Sequence, residues 1–274
     1  MNIITKILIV LILTSISLHK AFSQEISEEN FLKIDKEMLE DYEHAMSKIS
    51  SFYELHPEKI DSLLIVSAQI EKMYNKKLTE TTIKFASVPS GFDNLYRQRL
   101  MIPKDVLLDV LKKLPKEMQE SDYGKSIKFH IDSKQIEIGD DFYNFQATDS
   151  DGNPFQLSSL NGKDIFLLYG GLGCIQENGR TLLKNFHNTM DKDNFKIVVF
   201  NSCSNIEELK ALKTQYQLDF IFVDDFKKDH SPMKIIYGAQ STPTCFAINK
   251  NGIITNKFLG LPETELDKLR KASR

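Results

Sequence analysis

The sequence predicts an α/β domain preceded by an α-helical domain, and three observations lead to this prediction. From Ser27 to about Gln135, apolar residues recur at steps of three and four, as they do on the buried faces of helices. Beyond that stretch, short apolar runs alternate with helical patterns, which is typical of a mixed sheet with crossover helices. The first 23 residues differ from both regions. We therefore expect a leader, a helical domain at 24–137 and an α/β domain at 138–274.

The leader has the organisation of a secretory signal peptide. Lys6 gives a short basic start, an apolar run extends from Ile7 to Leu18, and Ala21-Phe22-Ser23 is a small-x-small cleavage signature. A membrane anchor is the alternative, but the apolar run is short for a bilayer span. We expect cleavage after Ser23, a mature chain that starts at Gln24 without a further membrane span, and a periplasmic or secreted location.

The charge distribution argues against a nucleic-acid partner, and the cysteine count limits which disulfides the chain can form. The chain carries 35 basic and 38 acidic residues with both signs mixed, and a nucleic-acid-binding surface would need clustered basic residues. Its three cysteines are Cys174, Cys203 and Cys245, all in the second half of the chain. In an exported protein disulfides persist, so an odd count leaves at least one thiol free or paired between molecules.

The helical domain is predicted from apolar stripes and from the residues that begin and end them. Ser27 is a plausible N-cap for the first helix, and Pro57 and Pro103 stand at the starts of the next two. Pro115 ends the third, and a short helix is expected from about Tyr123 to Ile131. This region has no cysteine and no convergent polar cluster, so we expect a packing or substrate-gripping domain.

The α/β domain is predicted as strands and helices in alternation, closed by a hairpin around Asn249-Lys250-Asn251-Gly252. The expected strands are an edge strand at 142–147 and strands at 164–169, 195–200, 244–248 and 253–259. The expected helices cover 174–190, 205–216, 232–237 and 263–271.

Four motifs in this region resemble a known family. Phe145–Gly152 and Leu157–Lys163 look like the entry of extracytoplasmic TlpA-type and AhpC/TSA-type redoxins, and Tyr237–Thr244 with Ile248–Gly252 looks like their proline loop and hairpin. The segment Ser121–Lys125 is similar to the region that precedes the redoxin in secreted Bacteroidetes members. The resemblance implies a thioredoxin-like fold, a role in cell redox homeostasis, and protein or peptide thiols and disulfides as partners.

The resemblance also implies a substrate-binding loop. In this fold the bond before the loop proline is cis, so we expect a cis Thr242–Pro243 bond, with ordinary turn proline as the alternative. The backbone of Thr242 would then lie beside the reactive cysteine, where an extended substrate can pair with it. Gly173, which stands where an aromatic residue usually precedes that cysteine, is grouped with Thr242 and Pro243 as substrate-binding.

The reactive motif departs from the family pattern. Thiol-disulfide oxidoreductases carry Cys-x-x-Cys at a helix N-terminus, and here the segment is Cys174-Ile175-Gln176-Glu177. The attacking position is kept, whereas the resolving position is Glu177. Glu177 has the spacing of a capping-box partner for Cys174, which is the structural alternative to a chemical role, and Arg180 could partly neutralise it. A peroxiredoxin would place threonine three residues before its cysteine, where this chain has Gly171.

The other two cysteines are expected near the same end of the sheet. Cys203 follows the end of one neighbour of the central strand, and Cys245 begins the other neighbour. A Cys174–Cys203 disulfide is possible if their Cα atoms lie within about 7 Å, and Cys203 is otherwise a loop thiol. Cys245 is more simply a small buried core residue.

Three functions remain open from the sequence. The first is a thiol oxidoreductase that uses Cys174, with Cys203 or an external thiol to resolve the mixed disulfide. The second is a redox-inactive protein that binds extended peptides, and the third is a one-cysteine thiol peroxidase. Neither His187 nor His230 has zinc-type spacing to a cysteine, so we expect no metal and no cofactor. The sequence does not indicate an oligomeric state.

Overall fold

The computed structural model describes residues 25–272, so the expected leader and its cleavage site lie outside the described residues. The chain divides into two compact units, one that ends at Ile131 and one that begins at Asp132. No helix within 25–272 is both long enough and apolar enough to cross a membrane.

In the described part of the first unit the regular elements are helices joined by short turns. Helix α1 begins after Ser27, whose hydroxyl accepts a hydrogen bond from the N–H of Asn30 at 3.3 Å. A short 3-10 turn at Pro57–Lys59 leads into the second long helix. The helices are α1 (Glu28–Leu55), α2 (Ile60–Lys84), α3 (Pro89–Gln98), α4 (Lys104–Lys113), α5 (Lys116–Glu120) and α6 (Asp122–Asp132).

The second unit contains one mixed sheet formed by the described strands. Its strands are β1 (Gln146–Asp149), β2 (Pro154–Gln156), β3 (Asp164–Tyr169), β4 (Phe195–Phe200), β5 (Ile221–Asp224), β6 (Thr244–Ile248) and β7 (Ile254–Leu259), and its helices are α7 (Gln176–Thr189), α8 (Ile206–Tyr216), α9 (Pro232–Ile236) and α10 (Glu263–Ala272). The spatial order is β2-β1-β5-β4-β3-β6-β7. Strands β3, β4 and β5 run parallel, and the other pairs are antiparallel. The predicted α/β class behind a helical region is therefore confirmed.

The central strand β3 separates two hydrophobic layers. Leu167 and Tyr169 point into the layer that α9 covers, and Phe166 and Leu168 point into the layer shared with α7, α8 and α10. Because both faces of β3 are buried, its sequence is a continuous apolar run after Asp164, as a central strand requires.

The predicted edge strand at 142–147 needs a correction. Strand β1 starts later, at Gln146, and lies between β2 and β5 instead of at an edge. The N–H of Phe142 donates to the carbonyl of Gly252 at 2.8 Å, and Asp141 forms an isolated bridge with Ile253. The segment before β1 is thus held by the β6–β7 hairpin, which explains its extended, strand-like sequence.

Candidate functional site

Cys174 lies in a tight turn between β3 and α7, and it is exposed. The turn is closed by hydrogen bonds from the N–H of Ile175 to the carbonyl of Gly171 at 3.1 Å and from the N–H of Gln176 to the carbonyl of Gly173 at 3.3 Å. Helix α7 begins at Gln176. The thiol therefore stands two residues before the helix and faces solvent, where it can react.

The capping role considered for Glu177 needs a correction. The N-cap of α7 is Ile175, and no side chain caps this helix end. Cys174 and Glu177 do not occupy the N-cap and third positions because the turn delays the helix by two residues, and Gln176 starts it with a φ of +54°. Glu177 is an exposed carboxylate in the first turn.

Arg180 also differs from the expectation, since it forms no ion pair with Glu177 within the described residues. Its guanidinium donates to the carbonyl of Leu172 at 2.9 Å and lies over the ring of Tyr216, 5.3 Å from the centroid. Arg180, which lies on α7, therefore connects the turn that contains Cys174 to Tyr216 at the end of α8.

The proline loop faces the thiol. The Thr242–Pro243 bond is cis, and the Thr242 hydroxyl oxygen lies 3.8 Å from the Cys174 sulfur. Pro243 is buried and its carbonyl accepts from the N–H of Gly260 at 2.9 Å, whereas Thr242 is exposed. Within the described residues the backbone groups of Thr242 make no hydrogen bond to another backbone group. They remain available to an extended ligand beside Cys174.

Gly171 allows the turn and the loop to approach each other. It has a φ of +82°, and a Cβ built there would lie 2.4 Å from the nitrogen of Pro243. No side chain fits at such a distance. A peroxiredoxin-type threonine at this position would collide with the proline loop.

Gly173 lies against the aromatic residue Tyr216. A Cβ at Gly173 would lie 3.4 Å from the hydroxyl oxygen of Tyr216, so the residue before the thiol adjoins the end of α8. Tyr216 was not identified from the sequence, because it follows the apolar stripe of α8 and resembles any half-buried aromatic residue.

Cys203 is buried and does not form the disulfide considered from the sequence; all three cysteines are free. Its backbone N–H donates to the carboxylate of Asp224 at the end of β5. Burial, reinforced by the charge of Asp224, raises the pKa of the Cys203 thiol to about 12. Cys203 is therefore a poor nucleophile in the folded chain, because the thiolate is the reactive form.

Asp224 was also missed in the sequence, where it follows an apolar run that was not assigned to a strand. It is fully buried and accepts from the N–H groups of Cys203 and Phe226. Burial raises the pKa of its carboxyl group. Asp224 thereby fixes the loop after β4 to the end of β5.

Cys245 lies opposite Leu168 in the β3–β6 pair and is fully buried. Burial raises the pKa of its thiol to about 12. It fills the core as a small apolar side chain, and it is not presented to solvent beside Cys174.

The described residues contain no group of three or more histidine, cysteine or acidic side chains that could hold a metal ion. His187 is buried with its ring edge-on to Phe220, at 5.2 Å between centroids.

Comparisons with known proteins identify the family of the second unit. The redoxin family model matches residues 137–272. The thiol-disulfide oxidoreductase ResA of Bacillus anthracis is 27% identical over 135 residues, which cover 48% of this chain and 75% of that protein, and the ResA of Bacillus thuringiensis strain Al Hakam shows the same figures.

Two solved structures are also similar to this chain. The thioredoxin domain of a thiol-disulfide oxidoreductase from Bacteroides vulgatus has 18% identity and a TM-score of 0.45, and the match covers 51% of this chain and 100% of that one. A DsbE-type thiol:disulfide interchange protein from Chlorobium tepidum has 19% identity and a TM-score of 0.41, with 50% and 95% covered. Through residues 137–272, about half of its length, the chain belongs to the redoxin family.

Proposed function

We propose that the protein is an extracytoplasmic thiol-disulfide oxidoreductase that works through one cysteine, Cys174. The observation that carries the proposal is the exposed Cys174 sulfur 3.8 Å from the hydroxyl of Thr242, at the proline loop. The ResA proteins, which bear the name thiol-disulfide oxidoreductase, support the reaction class.

The reaction begins with attack of the Cys174 thiolate on a substrate disulfide. A bond forms between the Cys174 sulfur and one substrate sulfur, and the other substrate sulfur leaves as a thiolate. An external thiol then attacks the mixed disulfide and regenerates Cys174. The external thiol is needed because Cys203 and Cys245 are buried and position 177 is a glutamate.

The substrate is a protein or peptide disulfide that lies across the proline loop. The backbone groups of Thr242, which make no hydrogen bond to another backbone group, can pair with an extended segment. The hydrogen bond from the N–H of Gly260 to the carbonyl of Pro243 holds the loop in place. Gly173 has no side chain, and a Cβ there would adjoin Tyr216 and no atom of the proline loop, so the approach to Cys174 across the loop stays open.

A redox-inactive peptide-binding protein is the second candidate. It is favoured by the same unpaired backbone of Thr242 together with the absence of a resolving cysteine at position 177. It needs the loop but not the thiol. A one-cysteine peroxidase is less well supported, because Gly171 leaves no room for a threonine beside Pro243.

The two candidates separate when the thiol of Cys174 is removed and the proline loop is left unchanged. We expect Cys174→Ser to abolish reduction of a small disulfide by excess dithiothreitol above the uncatalysed rate, while Cys203→Ser retains most of it. A fluorescent peptide from a reduced substrate protein should bind both variants. Unchanged turnover in Cys174→Ser would overturn the oxidoreductase proposal. Binding of the fluorescent peptide by the same variant would then support the peptide-binding candidate.

A further inference from the structure

A polar groove adjoins the thiol turn where Gly173 meets the end of α8. It lies between the first turns of α7, which contribute Glu177, Arg180 and Lys184, and the end of α8, which contributes Gln215 and Tyr216. We call these five residues the cation groove. Thr181 and Leu218 also line the cavity. Its polar groups are a guanidinium, an ammonium, an amide and two hydroxyls, against a single carboxylate.

The cation groove is continuous with the residues that precede Cys174. The Tyr216 hydroxyl adjoins Gly173, and Arg180 donates to the carbonyl of Leu172. Because these contacts are made one and two residues before the thiol, a group attached to a sulfur bonded to Cys174 can reach the groove. The groove is thus a neighbour of the reacting atom.

Arg180 is held in place without a carboxylate partner in the described residues. Its bond to Leu172 and its position over the Tyr216 ring fix the guanidinium and leave further N–H donors unused. Lys184 is exposed one turn further along α7. Orientation before binding lowers the entropic cost of capturing an anion, and a guanidinium matches a carboxylate in geometry.

We propose that the cation groove recognises a carboxylate close to the disulfide of the substrate, so that Cys174 prefers anionic disulfides and acidic peptide partners. This inference rests on the proposed function, because it assigns a substrate class to the same thiol. The exchange step is unchanged: the Cys174 sulfur bonds to the sulfur that carries the anionic group, and the other sulfur leaves as a thiolate. Glu177 is the one carboxylate of the groove, and its negative charge weakens the preference for anionic disulfides.

Three small disulfides of different charge test the inference. The rate of mixed-disulfide formation is measured with dithiobis(nitrobenzoate), which is anionic, with dithiodipyridine, which is neutral, and with cystamine, which is cationic. The readout is the ratio of the anionic to the neutral rate within each variant, so a general change in thiol reactivity cancels. Arg180→Gln and Lys184→Gln remove one charge each, and Lys210→Gln is the matched control on α8 outside the groove.

We expect the ratio to fall by roughly two- to fivefold in each groove variant, which is the range of an exposed ion pair, and to stay at the wild-type value in Lys210→Gln. Glu177→Gln should raise the ratio, and added salt should lower it in the wild type because exposed charges are screened. Equal ratios in all variants would overturn the inference and leave the proposed function intact. No reaction of Cys174 with any of the three disulfides would overturn both.

Discussion

Gly171 is the residue on which the geometry of the site depends most directly. It combines a φ of +82° with a backbone position so close to Pro243 that no Cβ fits. The same position would carry the threonine of a peroxiredoxin, and the structure leaves no room for that side chain beside Pro243.

Gly171→Ala tests this close approach, with Gly152→Ala as the matched control. Gly152 has a φ of +92° and open space around the position of a Cβ. Both substitutions strain the backbone, whereas only the first adds a collision with Pro243. We expect Gly171→Ala to lower the free energy of unfolding by about 1–3 kcal/mol more than Gly152→Ala in urea unfolding. Equal losses would show that the loop moves aside without cost.

The position of Cys174 between β3 and α7 was predicted from the sequence, whereas the hydrogen bonds around it were not. Cys174 was recognised by its place after a buried strand and a glycine-rich turn. The capping spacing to Glu177 was misleading, because the turn at Gly171–Ile175 delays the helix by two residues. The backbone N–H of Cys203 donates to Asp224, which lies on a strand that was not predicted, so this contact could not be foreseen from the sequence.

At the level of elements, the first turn of α7 is where the second cysteine of an exchange pair would stand. Glu177 is exposed in that turn, and Asn178 is its exposed neighbour. Adjacent residues on a helix point about 100° apart, so only one of them can share a direction with Cys174. This gives a matched pair of positions for a geometric test.

Glu177→Cys should convert the site into a dithiol, while Asn178→Cys should not. An intramolecular thiol acts at an effective concentration of roughly millimolar or more, so release of a mixed disulfide from Glu177→Cys should become independent of micromolar external thiol. Insulin reduction, followed by turbidity, should therefore rise in Glu177→Cys above the wild type and above Asn178→Cys. Equal activity in the two variants would contradict the assigned position of residue 177.

Elements with a clear sequence pattern were predicted, and elements whose sequence gives no clear pattern were not. Strands β3 and β4 are buried on both faces and have continuous apolar sequences, and the β6–β7 hairpin has a clear turn. Helix α3 begins with Pro89-Ser90-Gly91, which resembles a turn. Gly91 is nevertheless helical, and it lies so close to the carbonyl of Phe85 that a Cβ would not fit. The short strand β2 is defined by its pairing with β1, and β5 by its pairing with β1 and β4, which local sequence does not reveal.

At the scale of the whole molecule, the helical unit contains a buried histidine that makes stability depend on pH. His130 is buried, its Nδ1 has no hydrogen-bond partner, and burial together with the charges of Lys104 and Arg99 lowers its pKa to about 4. The unfolded chain binds a proton at the ordinary value of about 6.5. The contribution to stability is therefore present above pH 6.5 and is lost as pH falls towards 4.

His130→Phe removes this titration. We expect the wild type to lose more free energy of unfolding between pH 7 and pH 4.5 than His130→Phe does, at about 1.4 kcal/mol per unit of pKa difference as an upper bound. Urea unfolding followed by helical circular dichroism at both pH values gives the difference. Parallel pH dependences in the two proteins would show that His130 is not the titrating group.

Export is a second property of the whole chain. Lys6, the apolar run and Ala21-Phe22-Ser23 predict that the exported protein begins at Gln24. N-terminal sequencing of protein purified from the native envelope fraction measures this directly. A chain that still starts at Met1 would contradict both the cleavage and the proposed extracytoplasmic location.

The central claim is that Cys174 reacts alone, without a second cysteine of the same chain. Its most direct test is intact-mass analysis of the reduced protein after reaction with dithiodipyridine in the absence of external thiol. We predict one stable adduct per chain, mapped to Cys174 and released only when a thiol is added, because Cys203 and Cys245 are buried. Spontaneous loss of the adduct with formation of an internal Cys174–Cys203 disulfide would contradict the account.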